Sequence, residues 1–223
     1  MTLGRGLWLT VLGPAALEAL PTAGVGWLGV DLQHGQYEVV DLLDLLRVTS
    51  VPVLARAASH DPAHLARVLD TGVAGVIVPG VGGGEEAAAL VSAVRPPPEG
   101  GRSTGLSRSA VVGAPERPLL LAMIETRDGL EAVDDIAGCP GVDGLFVGPY
   151  DLSLSLGRPS VVDAEVVAAI GTVTRTARRH GLLAGAFSAN RDLDRLLPEL
   201  DLVGVDTDVA VLGAGMAKLF SAT

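Results

Sequence analysis

Short apolar runs alternate with stretches of helical periodicity along almost the entire chain. Runs at 7–12, 27–32, 52–56, 75–79, 119–125, 143–148, 182–187 and 202–206 read as buried strands. Helical patterns lie at 14–20, 37–48, 62–69, 85–94, 130–136, 163–180, 190–200 and 209–220. Eight strand–helix pairs are the count of a closed (β/α)₈ or TIM barrel, an α/β fold, and the alternation itself implies a parallel sheet. A doubly wound open sheet is the main rival, but it needs fewer strands and usually carries a nucleotide loop. Pro14 and Pro62 suit a first helical turn, where no amide donor is needed. Asp61 and Asn190 are placed as N-caps, and Gly72, Gly138 and Gly181 fall where helices should stop. With no internal repeat and no linker, residues 1–223 read as one barrel domain. One segment, from Arg95-Pro96-Pro97-Pro98 to Arg117-Pro118, has little periodicity. It comes after the fourth strand, so it is expected over the rim formed by the strand ends.

Composition narrows the picture. A hydrophobic content of 48 % supports a large core, and with only 3 % aromatics that core is expected to be aliphatic, with strands buried on both faces. The net charge of −10, with no visible basic patch, argues against nucleic-acid binding. An anionic substrate stays compatible with this charge if a metal and an arginine reverse the sign locally. Cys139 is the single cysteine, which rules out an intrachain disulfide and the cysteine-rich zinc sites. The longest apolar runs fall well short of the roughly 20 residues needed to span a bilayer, so no membrane association is expected. The start, Met1-Thr2-Leu3-Gly4-Arg5-Gly6, has no signal-peptide pattern, and a soluble cytoplasmic protein is expected.

In a barrel of this kind the residues just past each strand face the active site: His34, Arg56, Glu125, Asp151 and Asp206. Glu125 and Asp151 follow neighbouring strands and are expected side by side on one rim. Paired carboxylates there are what a hard divalent cation such as Mg²⁺ or Mn²⁺ requires. Their plainer alternatives are an N-cap or an Arg127 ion pair for Glu125, and capping of a short turn at 152–156 for Asp151. His34, in Asp31-Leu32-Gln33-His34-Gly35, could serve as a base near neutrality, with Asp31 to orient it; a lone histidine at a core edge is the ordinary reading. Arg56 suits bidentate capture of a carboxylate or a developing enolate oxygen, with a cross-strand salt bridge as the alternative. The glycine run at 80–84 fails as a phosphate loop, because Glu85 stands where a glycine is needed and no Lys-Ser/Thr follows. His60, His64 and His180 lack metal-binding spacing, Cys139 reads as structural, and Glu38, Asp41 and Asp44 read as a solvated helix face.

These residues carry a resemblance. Met123-Ile124-Glu125-Thr126-Arg127-Asp128-Gly129-Leu130, with Pro140-Gly141-Val142-Asp143-Gly144-Leu145-Phe146-Val147-Gly148-Pro149-Tyr150-Asp151-Leu152-Ser153, resembles the pyruvate-type class II aldolases. That family contains the 4-hydroxy-2-oxoheptanedioate and 2-dehydro-3-deoxyglucarate aldolases and is related to the citrate lyase β subunit. Asp31-Leu32-Gln33-His34-Gly35 and Pro97-Pro98-Glu99-Gly100-Gly101-Arg102-Ser103 leading to Arg108 extend the likeness, which runs from about Gly6 to Leu219.

The resemblance implies a (β/α)₈ barrel and an aldehyde-lyase that cleaves or forms 4-hydroxy-2-oxo acids. It implies that Glu125 and Asp151 hold Mg²⁺, Mn²⁺ or Co²⁺, chelated in turn by the keto and carboxylate oxygens of a 2-oxo acid. Arg56 would stabilise the enolate and His34 would act as base, directly or through water, with Asp31 or Asp70 as its partner. Backbone around Gly148, Pro149, Tyr150 and Asp151 would hold the substrate carboxylate. A homo-oligomer, hexamer or trimer, with exchanged terminal helices is implied as well. Departures from the family pattern are Gln33 for Glu, Met123 for Gln, Tyr150 at a usually small position, and a short 98–118 loop. A lyase acting on a CoA thioester would need basic residues at the rim, for which Arg102 and Arg108 are the candidates. A degenerate, non-catalytic barrel would fit the departures, but the retention of His34, Arg56, Glu125 and Asp151 argues against it.

Overall fold

A computed structural model describes residues 3–188, 190–197 and 199–221. Eight parallel strands close into a barrel in sequence order, each paired with the next and the last with the first. The chain runs β1 (Gly4–Leu9), α1 (Pro14–Ala19), β2 (Trp27–Asp31), α2 (Asp41–Val48), β3 (Val53–Arg56), α3 (Pro62–Asp70), β4 (Gly75–Val78) and α4 (Gly84–Val94). It continues through α5 (Arg108–Val111), β5 (Leu119–Ile124), α6 (Arg127–Glu131), α7 (Val133–Ala137), β6 (Gly144–Val147) and α8 (Pro149–Ser155). The last turn of the barrel is α9 (Ala164–Arg179), β7 (Leu183–Phe187), α10 (Arg191–Leu196), β8 (Leu202–Thr207) and α11 (Asp208–Phe220). The expected (β/α)₈ barrel is therefore present. Among the described residues no helix is long and apolar enough to cross a membrane.

Local chemistry explains most boundaries. Asp61 caps α3 by accepting from the Ala63 amide at 2.8 Å, and Asn190 caps α10 by accepting from Asp192 and Leu193. The helix expected at 37–48 begins only at Asp41, whose carboxylate accepts from the Glu38 amide at 2.7 Å. Buried Tyr37 donates to the Leu12 carbonyl and holds the preceding residues as loop. The expected helix at 130–136 is two short helices that meet at Ala132. The helix expected at 190–200 ends at Leu196; Pro198, inside that expectation, lies outside the described residues, as do Met1 and Thr2.

The segment 95–118 is not over the strand-end rim. Because α4 intervenes after β4, the chain has already returned to the opposite face, where 95–118 leads into β5. Arg95, 1 % exposed, fastens it there: its guanidinium donates to the carbonyls of Pro118 and Gly141 and pairs with Asp143.

Side chains alternate along each strand between two apolar layers. On β5, Leu120, Ala122 and Ile124 pack outward against the helices, whereas Leu121 and Met123 point into the barrel. The outer layer is aliphatic, as expected. The barrel interior is not: Trp8, Trp27, Phe146 and Phe187 stack there with ring centroids 5.5–6.0 Å apart. Inward glycines make the room. A Cβ on Gly29 would lie 2.5 Å from the Trp8 ring, and one on Gly6 would lie 2.3 Å from the Trp27 ring. The few aromatics are thus concentrated in a rigid floor beneath the strand-end rim.

Candidate active site

Strand register builds the first half of the site. Asp31 and Arg56 are the last residues of β2 and β3, and the register pairs them directly. Both occupy inward positions, the parity of Trp27 and Leu54 below them. Arg56 donates from Nε to Asp31 Oδ1 at 2.9 Å and from Nη2 to Oδ2. The pair is buried, with Asp31 2 % and Arg56 9 % exposed. The Arg56 guanidinium lies 5.5 Å from the centroid of the Trp8 ring, and the Trp8 indole N–H faces Asp31 Oδ2 at 3.4 Å. Asp31 Oδ1 also accepts from the amides of Gln33 and His34, each at 3.0 Å. Burial alone would raise the Asp31 carboxyl, but the Arg56 hydrogen bonds and charge, with these two amides, hold it below its usual value.

The second half is acidic. Glu125 follows β5 and is 8 % exposed, and its Oε2 is buried without a hydrogen-bond partner. Both plainer readings of Glu125 fall away. Thr126, not Glu125, caps α6, and Arg127 bonds Ser155 and the Leu156 carbonyl. Gly148 makes space for the carboxylate, since a Cβ there would lie 2.8 Å from Glu125 Oε2. Burial raises the Glu125 carboxyl above its usual range, the charge of Asp151 raises it further, and Arg56 and the Gly80 amide oppose both. Asp151 is exposed in the first turn of α8, which has no side-chain cap. An unpartnered buried carboxylate oxygen beside a second carboxylate is a donor set that fits a hard divalent cation. Among the described residues no cluster of three or more acidic, histidine or cysteine side chains is placed to hold a metal. Two protein ligands leave positions for water and substrate, which is how Mg²⁺ commonly binds.

A cavity of about 220 Å³ opens between the two halves. Of the sequence candidates, Asp31, His34, Arg56, Gly148, Pro149, Tyr150 and Asp151 line it, and Glu125 stands behind Gly148. His34 is exposed, and its imidazole makes no hydrogen bond to Asp31 or Asp70 among the bonds of the described residues. Asp70 is not brought to this cavity: it ends α3 on the opposite face, bonded to Arg102 at 2.6 Å. Arg102 and Arg108, the candidate basic rim, share that face, where Arg108 donates to the Thr71 carbonyl. Asp206 is displaced by one residue. The β1–β8 register shifts between Gly6 and Leu7, so Asp206 pairs with Leu7 and Thr207 pairs with inward Trp8; Thr207 lines the cavity instead. His60, His64 and His180 each bond locally, to the Pro79 carbonyl, the Ala58 amide and Asp134. Trp8, Thr10, Phe187 and Thr207 were missed as site residues. Strand-end position is the available signal: a first strand expected three residues too late obscures it for Trp8 and Thr10, whereas Phe187 and Thr207 are the last residues of β7 and β8.

The family model for HpcH/HpaI aldolase/citrate lyase matches residues 5–210. The chain belongs to this family. A hydroxypyruvate/pyruvate aldolase of Rhizorhabdus wittichii is 33 % identical, over 96 % of this chain and 91 % of its own. A 4-hydroxy-2-oxo-heptane-1,7-dioate aldolase of Klebsiella pneumoniae is 35 % identical, over 94 % of this chain and 86 % of its own. The crystal structure of an HpcH/HpaI aldolase/citrate lyase family protein from Burkholderia cenocepacia superposes with a TM-score of 0.89 at 28 % identity, covering 97 % of this chain and 93 % of that one. As a member of the HpcH/HpaI family the chain is a carbon–carbon lyase.

The buried Asp31–Arg56 pair makes a stability claim for this HpcH/HpaI barrel. The native Asp31 carboxyl sits below its unfolded value of about 3.9. Its contribution is therefore complete above about pH 4 and is lost as pH falls through the native value. Asp31→Asn, which leaves Arg56 buried without its counter-charge, is expected to cost about 3–5 kcal/mol at pH 7. Urea unfolding should show this gap narrowing below about pH 4. A gap that is absent at pH 7, or that widens in acid, contradicts the assignment.

Proposed function

We propose that this chain is a divalent-metal-dependent class II aldolase that makes or breaks a carbon–carbon bond beside a pyruvate-derived enolate. The observation that supports this most is Glu125, whose buried, unbonded oxygen lies next to Gly148 in the field of Asp151. Held by these two carboxylates, Mg²⁺, Mn²⁺ or Co²⁺ would polarise the keto group of a 2-oxo acid as a Lewis acid. Arg56 uses Nε and Nη2 on Asp31, which leaves Nη1 to meet the enolate oxygen. Asp31 thereby orients the arginine and, through the His34 amide, sets the position of the base. His34 would take the proton from the pyruvate methyl group, directly or through a water. The substrate carboxylate falls to the amides of Tyr150 and Asp151, because the Gly148 amide already donates to the Ile124 carbonyl and Pro149 has none.

The protein is also proposed to be a homo-oligomer, hexamer or trimer. Helix α11 supports this. Only Asp208 of its thirteen residues is buried, and Val209, Val211, Leu212, Met216, Leu219 and Phe220 are exposed. A helix this apolar and this uncovered fits burial against a second copy of the chain. Light scattering after chromatography should give a multiple of the chain mass. Leu212→Glu combined with Met216→Glu should shift it to the monomer; a wild-type monomer contradicts the proposal.

The metal assignment has a thermal signature with a definite sign. The native Glu125 carboxyl is raised above its unfolded value of about 4.3, so its contribution favours folding below that pH and is lost as pH rises through the native value. Without metal, Glu125→Gln should therefore melt higher than wild type at pH 7, and the gain should shrink towards pH 4. Added Mn²⁺ should raise the melting temperature of wild type and leave Glu125→Gln unchanged. An equal Mn²⁺ shift in both proteins rules Glu125 out as a ligand.

A further inference from the structure

We infer that the second substrate of this site is an uncharged aldehyde with an apolar or aromatic substituent, and that Tyr150 selects it. The inference rests on the aldolase reading above and adds the class of the acceptor. Tyr150 stands in the first turn of α8, directly before Asp151, and lines the same cavity as His34, Arg56 and Asp151. It is 67 % exposed, so its ring is presented at the mouth and not packed in a core. Its backbone is held in place. Pro149 opens the turn, and the Ser153 hydroxyl donates to the Tyr150 carbonyl at 2.7 Å. An aromatic ring at the lip of a cavity offers a flat face for stacking or apolar contact.

The rest of the wall agrees with this. Trp8, Met123, Pro149 and Phe187 give it an apolar lining. Arg56 is the sole lysine or arginine among the described residues that line the cavity, and two of its nitrogens are held by Asp31. A carboxylate at the far end of an incoming aldehyde would meet the Tyr150 ring with no free lysine or arginine among the described lining residues to pair with it. An uncharged substituent incurs no such penalty and gains apolar burial against Tyr150.

In the condensation direction, the pyruvate methyl carbon, having lost one proton, bonds to the aldehyde carbon. The carbonyl π pair passes to the aldehyde oxygen, which takes up one proton, and the product is a 4-hydroxy-2-oxo acid. No oxidant, reductant or third reactant is required.

The test uses the full-length protein with Mn²⁺. Exchange of the pyruvate methyl protons with deuterium, followed by NMR, first establishes enolate formation without any aldehyde. Condensation is then measured with benzaldehyde and with 4-oxobutanoate, an aldehyde with a carboxylate at its far end. Wild type should favour benzaldehyde by about tenfold or more in kcat/KM, mostly through KM. Tyr150→Phe should keep that ratio, Tyr150→Ala should bring it close to one, and Tyr150→Arg should move it towards 4-oxobutanoate. A preference for 4-oxobutanoate in wild type, or an unchanged ratio in Tyr150→Ala, overturns this inference alone. Absence of methyl exchange removes the aldolase reading and this inference with it.

Discussion

Two carboxylates held together at the mouth of a barrel are the constraint on which the rest of this structure turns. Glu125 is buried, leaves one oxygen unbonded, and feels the charge of Asp151. Such an arrangement opposes folding at neutral pH unless a cation offsets it. Parallel strand pairing forces the proximity. Glu125 and Gly148 continue the inward rows of adjacent β5 and β6, and Asp151 follows in the turn that leaves Gly148. The missing side chain of Gly148 gives the Glu125 carboxylate its place.

The opposite side of the cavity solves the reverse problem. A buried arginine is supported by an ionised aspartate, by two amides acting on that aspartate, and by an indole ring beneath it. The indole cannot move aside easily, because Trp27, Phe146 and Phe187 surround it. The aromatic floor is thus part of the site: it turns a flexible guanidinium into a fixed positive charge facing an acidic pair. The same geometry brings His34, Arg56 and Asp151 to one cavity, with Glu125 beside Gly148.

Much of this was legible in the sequence, for a physical reason. Strands buried on both faces leave unbroken apolar runs, so all eight were visible, and the polar residue that ends such a run has to point at the mouth. That logic points to Arg56 and Glu125; Asp31, expected as a partner for the His34 imidazole, pairs with Arg56 instead. It failed where geometry depends on partners far along the chain. Asp206 had the right position in its run, but a register shift against β1 turned Thr207 inward in its place. Position after β4 suggests that the 95–118 segment lies at the strand-end rim, but α4 carries the chain back across the barrel and leaves it on the opposite face. Asp70 could not be separated from Asp31 by spacing, and only the fold shows that it lies at the far end with Arg102. Composition gave the aliphatic outer layer correctly but hid the aromatic floor, since a percentage does not say where so few rings gather.

The most direct measurement is anomalous diffraction at the manganese edge from crystals soaked with Mn²⁺ and oxalate. The account expects one strong peak within bonding reach of an oxygen from Glu125 and an oxygen from Asp151, with oxalate on its remaining positions. A peak held by other side chains, or no peak at this rim under saturating Mn²⁺, would contradict it.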